Sequence, residues 1–274
     1  MKRKIHILGI VNLTEDSYYA PSRAATCDAF LDRVRQLVAE GADIVDIGAC
    51  STRPGSLPIG AEEEWKRLEP ALKALRGEFP DVRVSIDTYW ASVVERVYDL
   101  IGPFMVNDIS AGNLDAEMLP LVGRLGLPYI AMHMRGTPET MQSLTDYPDG
   151  VTAEVLRYFR AFAKRAAKAG VTDWILDPGF GFAKTVEQNW TLLEEMDRLQ
   201  VLQMPVLVGV SRKSMIYRRF GITPEESLPA TQVAHYMALQ RGATYLRVHD
   251  VAEARRTVEI YSMIYTSSPG AAKW

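Results

Sequence analysis

Two cysteines, Cys27 and Cys50, are all that 274 residues carry, which excludes a disulfide framework and a zinc knuckle. Both are read as reduced thiols. Cys50 stands beside Ser51, Thr52 and Arg53, yet no histidine neighbours it in sequence to generate a thiolate, so a cysteine nucleophile is set aside. Histidine is scarce as well. His6, His133, His235 and His249 form no His-x-His or His-Glu-x-x-His pattern, so metal ligation by histidine has little support. There is no Gly-x-Gly-x-x-Gly string and no Walker loop, which leaves nucleotide cofactors without a sequence argument. No apolar run approaches the ~20 residues needed to cross a bilayer, and the N-terminus lacks the long apolar stretch of a secretory signal. A net charge of only -3 advertises no polyanion partner. The expectation is a cytoplasmic protein with neither a membrane nor a nucleic-acid partner.

What the chain does have is an eightfold alternation. Apolar runs at about Lys4 to Val11, Ile44 to Ile47, Val82 to Ile86, Phe104 to Val106, Tyr129 to Met132, Trp174 to Leu176, Val206 to Val210 and Tyr245 to Val248 read as parallel strands covered on both faces. Helical stripes lie between them, among them Phe30, Val34, Leu37 and Val38; Val155, Phe159, Phe162 and Ala166; and Val251, Ala254, Val258, Tyr261 and Tyr265. Eight such units, each strand ending in polar residues, predict an α/β fold, a single (β/α)8 TIM barrel over residues 1–265 with its active site at the C-terminal ends of the strands. Residues 266–274 lose the periodicity and read as a mobile tail.

The strand ends therefore supply the candidate chemistry. Asp87 and Asp177 are carboxylates just beyond apolar runs, where burial is costly unless a partner compensates. Either one alone reads equally well as a helix cap or the partner of a lysine. With Asn107 and Lys213 at the same end, one carboxylate can hold the amidine-like edge of a flat heterocycle while the lysine faces a ring carbonyl. Asp177-Pro178-Gly179-Phe180-Gly181-Phe182 is the most specific short string, a loop able to pass close under a ligand with Phe182 as a stacking face. A tight strand-to-helix turn explains it nearly as well. Arg247 and His249, two apart on an extended segment, point the same way and suit an anion after strand eight. Arg212, nearby, reads better as an ordinary rim charge. Asn12, ending strand one, offers an amide oxygen to a hard cation of the magnesium kind, held otherwise by phosphate and water.

The eight strand ends, in order, resemble those of the dihydropteroate synthases of the pterin-binding barrel superfamily, from about Ile7 to Val251. The resemblance implies condensation of 6-hydroxymethyl-7,8-dihydropterin diphosphate with p-aminobenzoate to give 7,8-dihydropteroate and diphosphate, with Mg2+ as cofactor and a homodimer as the usual assembly. It assigns Asp87, Asn107, Asp177 and Lys213 to the pterin ring. Arg247, His249 and Asn12 fall to diphosphate and magnesium, and Thr52, Arg53, Pro54, Phe182 and Ser214 to the p-aminobenzoate side. Asp87, Lys213, Arg247 and His249 are the catalytic candidates. The departures lie in the loops. Thr14 to Ser22 lacks the family's first proline and both glycines, Ala49-Cys50 stands where Gly-Glu is usual, and Ala183 replaces a common glycine. A corrinoid-dependent methyltransferase domain shares the barrel and the paired aspartates but needs neither the Arg247 and His249 site nor the Ser51 to Pro54 loop. A catalytically silent pterin binder is disfavoured by polar residues at every strand end.

Overall fold

The computed structural model describes residues 4–13, 23–50 and 59–266, the side chains of residues 23–26 and 265–266 excepted. Strands and helices alternate as β1 (His6–Asn12), α1 (Arg23–Ala39), β2 (Ile44–Gly48), α2 (Ala61–Glu78), β3 (Val84–Asp87), α3 (Ala91–Ile101), β4 (Met105–Asp108), α4 (Met118–Leu125), β5 (Tyr129–Met132), α5 (Val151–Ala169), β6 (Trp174–Asp177), α6 (Val186–Glu194), β7 (Leu207–Val208), α7 (Ser214–Phe220), α8 (Leu228–Gln240), β8 (Tyr245–Val248) and α9 (Val251–Thr266). The eight strands run in the order β6-β5-β4-β3-β2-β1-β8-β7, every paired neighbour parallel. A parallel bridge between Leu176 and Val206, with the Leu176 N–H on the Pro205 carbonyl at 2.9 Å, brings β6 to β7 and closes the ring. The barrel expected from the alternation is present. β7 is shorter than its apolar run, since Pro205 has no N–H to give a ladder and the chain turns away at Arg212, whose φ is +53°.

Strand alternation sorts the side chains into two cores. Leu8, Ile44, Met105, Ile130, Ile175 and Leu207, with Tyr245 against them, fill the barrel interior. Their neighbours Ile7, Val45, Ile86, Val106, Tyr129, Leu176, Val208 and Leu246 face outward to the helices. There they meet the predicted stripes, including Val34 and Leu37, Val155 through Ala166, and Val251 and Ala254, all buried. Val38 is the exception at 40% exposed. At 3.6 residues per turn it falls at the far edge of the Phe30, Val34, Leu37 line. The glycines expected to end helices, Gly41, Gly102, Gly126, Gly170 and Gly242, all have positive φ. Of the predicted tail, Thr266 closes α9 and the remainder lies outside the described residues.

The two faces also separate function from support at one dipeptide. Asn107 points into the barrel, while Asp108 is buried on the helix side and accepts the Tyr129 hydroxyl at 2.5 Å and the Ser110 and Gly112 N–H groups at 2.7 Å each. Burial pushes Asp108 up and these bonds oppose it. Tyr129→Phe removes one donor from a buried carboxylate, so the expected loss is about 1–3 kcal/mol in urea denaturation. Activity per folded molecule should be unchanged, because Tyr129 lies on the outer face.

Candidate active site

Interior positions two apart along each strand converge at the C-terminal mouth. Strand register sets Asn12 beside Gly48, Gly48 beside Asp87 and Asp87 beside Asn107, so four neighbouring strands place their last inward residues in one layer. Asp177 ends β6 beside Met132. Glycine at 48 keeps the layer open, since a Cβ there would stand 3.4 Å from Asp87 Cβ and 3.7 Å from Asn12 Oδ1. From β8, Arg247 reaches across β1 and donates its Nε to Asp46 Oδ2 and its Nη2 to Asp87 Oδ2, each at 2.7 Å. Asn107 completes the group by donating to Asp46 Oδ1 at 3.3 Å. Burial pushes Asp87 above the ordinary carboxylate range, Arg247 pulls it back and neighbouring Asp46 pushes it up again. Against the effect of burial, Asp46 and Asp87 hold Arg247 above its ordinary value.

The loop after β6 forms the opposite wall. Asp177 Oδ1 accepts the Gly179 N–H at 2.8 Å, Gly181 donates to Asn189 Oδ1 at 2.7 Å, and Lys213 donates to the Phe180 carbonyl. The Lys213 ammonium also sits 4.7 Å from the centre of the Phe182 ring, a cation–π contact. Burial lowers Lys213 to about 8, with Asp177 opposing, and burial raises Asp177, with Lys213 opposing. Thr185 then starts α6 with a capping box, its Oγ accepting the Gln188 N–H at 3.2 Å while Gln188 Oε1 accepts the Thr185 N–H at 2.9 Å. Hydrogen bonds thus hold the loop at both ends. Ala183, where glycine is common in the resembled family, has φ +51° and is fully buried. It occupies the left-handed region that glycine tolerates without cost.

At the rim, Ser211 Oγ lies 3.0 Å from His249 Nδ1 and accepts the His249 backbone N–H at 3.2 Å. The Ser211 hydroxyl and His249 Nδ1 can each be donor or acceptor, according to the imidazole tautomer. Arg212 pairs with Asp250 through contacts of 3.0 and 2.5 Å, the rim role expected of it. Ser214 opens α7, half-buried, next to Lys213. Thus Asn12, Asp87, Asn107, Asp177, Phe182, Lys213, Ser214, Arg247 and His249 all belong to one end of the barrel, whereas Thr52, Arg53 and Pro54 lie outside the described residues. Two inward groups had gone unassigned by sequence, Asp46 and Ser211. Asp46 was detectable in principle, being a lone acid inside an apolar strand and two residues from Gly48 on the same face.

The balance between Lys213 and Asp177 can be measured. With its lysines carbon-13 dimethylated, the protein should show two resonances titrating far below surface lysines, near 8 for Lys213 and near 7 for Lys184, and Lys213→Arg should remove only the one near 8. Asp177→Asn takes away the charge that raises Lys213 and should move that midpoint lower still; an upward move would contradict the pairing.

Comparison with known proteins agrees with this geometry. A sequence profile described as pterin binding enzyme matches residues 8–249. The dihydropteroate synthase of Synechocystis is 40% identical over 252 residues, covering 91% of this chain and 86% of its own length. Among solved structures, the Clostridium difficile dihydropteroate synthase in the presence of pteroic acid superposes with a TM-score of 0.89 at 32% identity, covering 96% of this chain and 97% of that one. The Thermus thermophilus dihydropteroate synthase in complex with 4-aminobenzoate gives 0.83 at 39% identity, covering 96% and 95%. The resemblance carried by the eight strand ends is borne out: the chain belongs to the pterin binding enzyme family and groups within it with the dihydropteroate synthases.

Proposed function

We propose that this chain is a transferase of folate biosynthesis that joins 6-hydroxymethyl-7,8-dihydropterin diphosphate to p-aminobenzoate, forming 7,8-dihydropteroate and releasing diphosphate. The observation that carries the reading is the interior cluster of Asp87, Asn107, Asp177 and Lys213, with Arg247 already seated on two carboxylates. Asp177 accepts the N–H groups of the ring's amidine edge, and Lys213 donates to its carbonyl. Phe182 and Ser214 serve the p-aminobenzoate side, to which the family resemblance also assigns Thr52, Arg53 and Pro54. The bond from the exocyclic methylene carbon to the diphosphate oxygen breaks first, in the SN1 manner. Positive charge then spreads into the ring, where Asp87 stabilises it more than the neutral ground state. The arylamine nitrogen closes the new bond and gives its proton to solvent, so no strong base is required. Arg247 and His249 take the departing anion.

Magnesium fits the residues present. Asn12 provides a hard amide oxygen at the end of β1, next to the Asp87 layer, and no cluster of three or more acidic, histidine or cysteine ligands exists among the described residues. That donor set suits an ion held mostly by phosphate oxygens and water rather than a protein cage. When bound, Mg2+ supplies charge neutralisation to the leaving diphosphate. A homodimer is part of the same proposal, supported by exposed Val233 on α8 and Ile260, Met263 and Ile264 on α9. A cytoplasmic setting is supported by the absence of any disulfide between Cys27 and Cys50, and no helix among the described residues is long and apolar enough to cross a membrane.

Incubation with both substrates, with and without Mg2+, should give magnesium-dependent dihydropteroate on chromatography, with a basic limb of kcat/KM near pH 8 as Lys213 loses its proton. Tight pterin binding without product would instead point to a methyl-transferring or silent pterin barrel. Asp177→Ala should abolish pterin binding in calorimetry, the lost charge-assisted pair alone being worth ~1.5–3 kcal/mol. Near-normal affinity would remove Asp177 from the ring site.

A further inference from the structure

A second lysine lies behind the ring wall, and the reaction just described gives it no task. Lys184 is 4% exposed and places its three N–H donors on the Gly179 carbonyl at 2.8 Å, the Phe182 carbonyl at 3.0 Å and His133 Nδ1 at 3.0 Å. All its hydrogen-bonding capacity is used. His133, fully buried, is tied into the same assembly from its main chain. Its N–H donates to the Asp177 carbonyl at 2.9 Å, and its own carbonyl lies 2.0 Å from where a Cβ on Gly179 would stand. The backbone of 177–179 therefore rests directly on His133, with no room for a side chain between them.

Lys213 and Lys184 grip the same loop from opposite sides but differ in freedom. Lys213 is half-buried on the ring side, where its ammonium can exchange the Phe180 carbonyl for a ligand. Lys184 is sealed in and has no outward reach. Gly179, which Lys184 holds by its carbonyl, gives its N–H to Asp177 Oδ1, so the grip is transmitted to the carboxylate. Phe182, held by the same ammonium, carries the ring that faces Lys213. A buried charge is expensive to keep. Burial indeed lowers Lys184 to about 7, with Asp177 opposing, and drives His133 well below its ordinary value, with Lys184 adding to that effect. A neutral His133 is what leaves Nδ1 able to accept from the ammonium.

We infer that Lys184, seated on His133, is a positioning residue that fixes the Asp177 carboxylate in the geometry that receives the substrate's heterocycle. The inference rests on the proposed assignment of Asp177 to the pterin. Lys184→Met keeps the length of the side chain and removes the donors. Calorimetry with 6-hydroxymethylpterin should show binding weakened by about tenfold or more, while inorganic diphosphate binding stays within about twofold. A general loss of structure would move both ligands together. Unchanged pterin affinity in folded Lys184→Met, or equal loss of both ligands, overturns the inference.

If Lys184→Met does not fold, the histidine decides. His133→Leu removes the Nδ1 acceptor together with the Nε2 nitrogen, which has no hydrogen-bond partner among the described residues, and should weaken pterin binding by about threefold or more, and His133→Asn, whose amide oxygen replaces Nδ1, should restore it to within about twofold. Equal affinities for the Leu and Asn variants would overturn the inference. Asp177→Ala is measured alongside. Loss of pterin binding there with none in Lys184→Met refutes only the positioning role, whereas retention in Asp177→Ala refutes the ring assignment and the positioning role with it.

Discussion

Burial of charge is the constraint on which the rest of the barrel mouth depends. Asp46 is fully buried and Asp87 largely so, and an unpaired ion in such a place costs several kcal/mol. Arg247 answers both at 2.7 Å, from a strand 201 residues further along the chain than Asp46. That bridge spans β8, β1, β2 and β3, so it forms only when the sheet has closed with β8 against β1. The apolar interior layer of Leu8, Ile44, Met105 and Ile130 demands the same closure. Two independent energies thus select one register, which is the consistency expected of a sequence that specifies a single fold.

The sequence was most legible where period two governs. Asp87, Asn107, Asp177 and Arg247 could be assigned to one end and one face because each follows an apolar run at a fixed offset, and the register places them as expected. Partner choice was less legible. Arg247 was readable as an anion ligand, but nothing local to it announces Asp46 and Asp87, since both contacts are made across the barrel. Lys184 was passed over for a similar reason: on its own string it looks like the start of a helix, and its partner His133 comes from the neighbouring strand end. Arg212 reads from the sequence as an ordinary rim charge, and the structure gives it Asp250 as its partner.

Departures from the family pattern also take on physical content. Ala183 keeps the left-handed conformation that a glycine would occupy, and Ala111 and Arg212 do the same in the loops after β4 and β7, with φ of +51° and +53°. Each costs of order 1–2 kcal/mol and persists only when its surroundings over-determine it. At Ala183 those surroundings are visible. The Tyr147 hydroxyl donates to its carbonyl at 2.7 Å, while Lys184 and the Thr185 capping box fix the residues that follow. These contacts offset the local cost of alanine at this position. The altered segment from Thr14 to Ser22 lies outside the described residues.

The resting charge arrangement bears on the proposed chemistry. A reaction that builds positive charge in a buried ring needs carboxylates already in place, since moving them during the reaction would cost reorganisation. Left without Arg247, Asp87 would be pushed still further up by burial and by neighbouring Asp46. Arg247 resolves the conflict because a guanidinium is planar, cationic and edged with N–H donors, much like the nitrogen-rich edge of a pterin. It opposes the effect of burial on Asp87 and holds that carboxylate in place for a ring with the same character. Only the Nη2 contact to Asp87 must then yield, while the Nε contact to Asp46 holds the side chain at the mouth. In the reaction proposed above, the Nη2 donor released from Asp87 is the one that meets the departing diphosphate, so substrate entry and preparation for the leaving group become one exchange of hydrogen bonds.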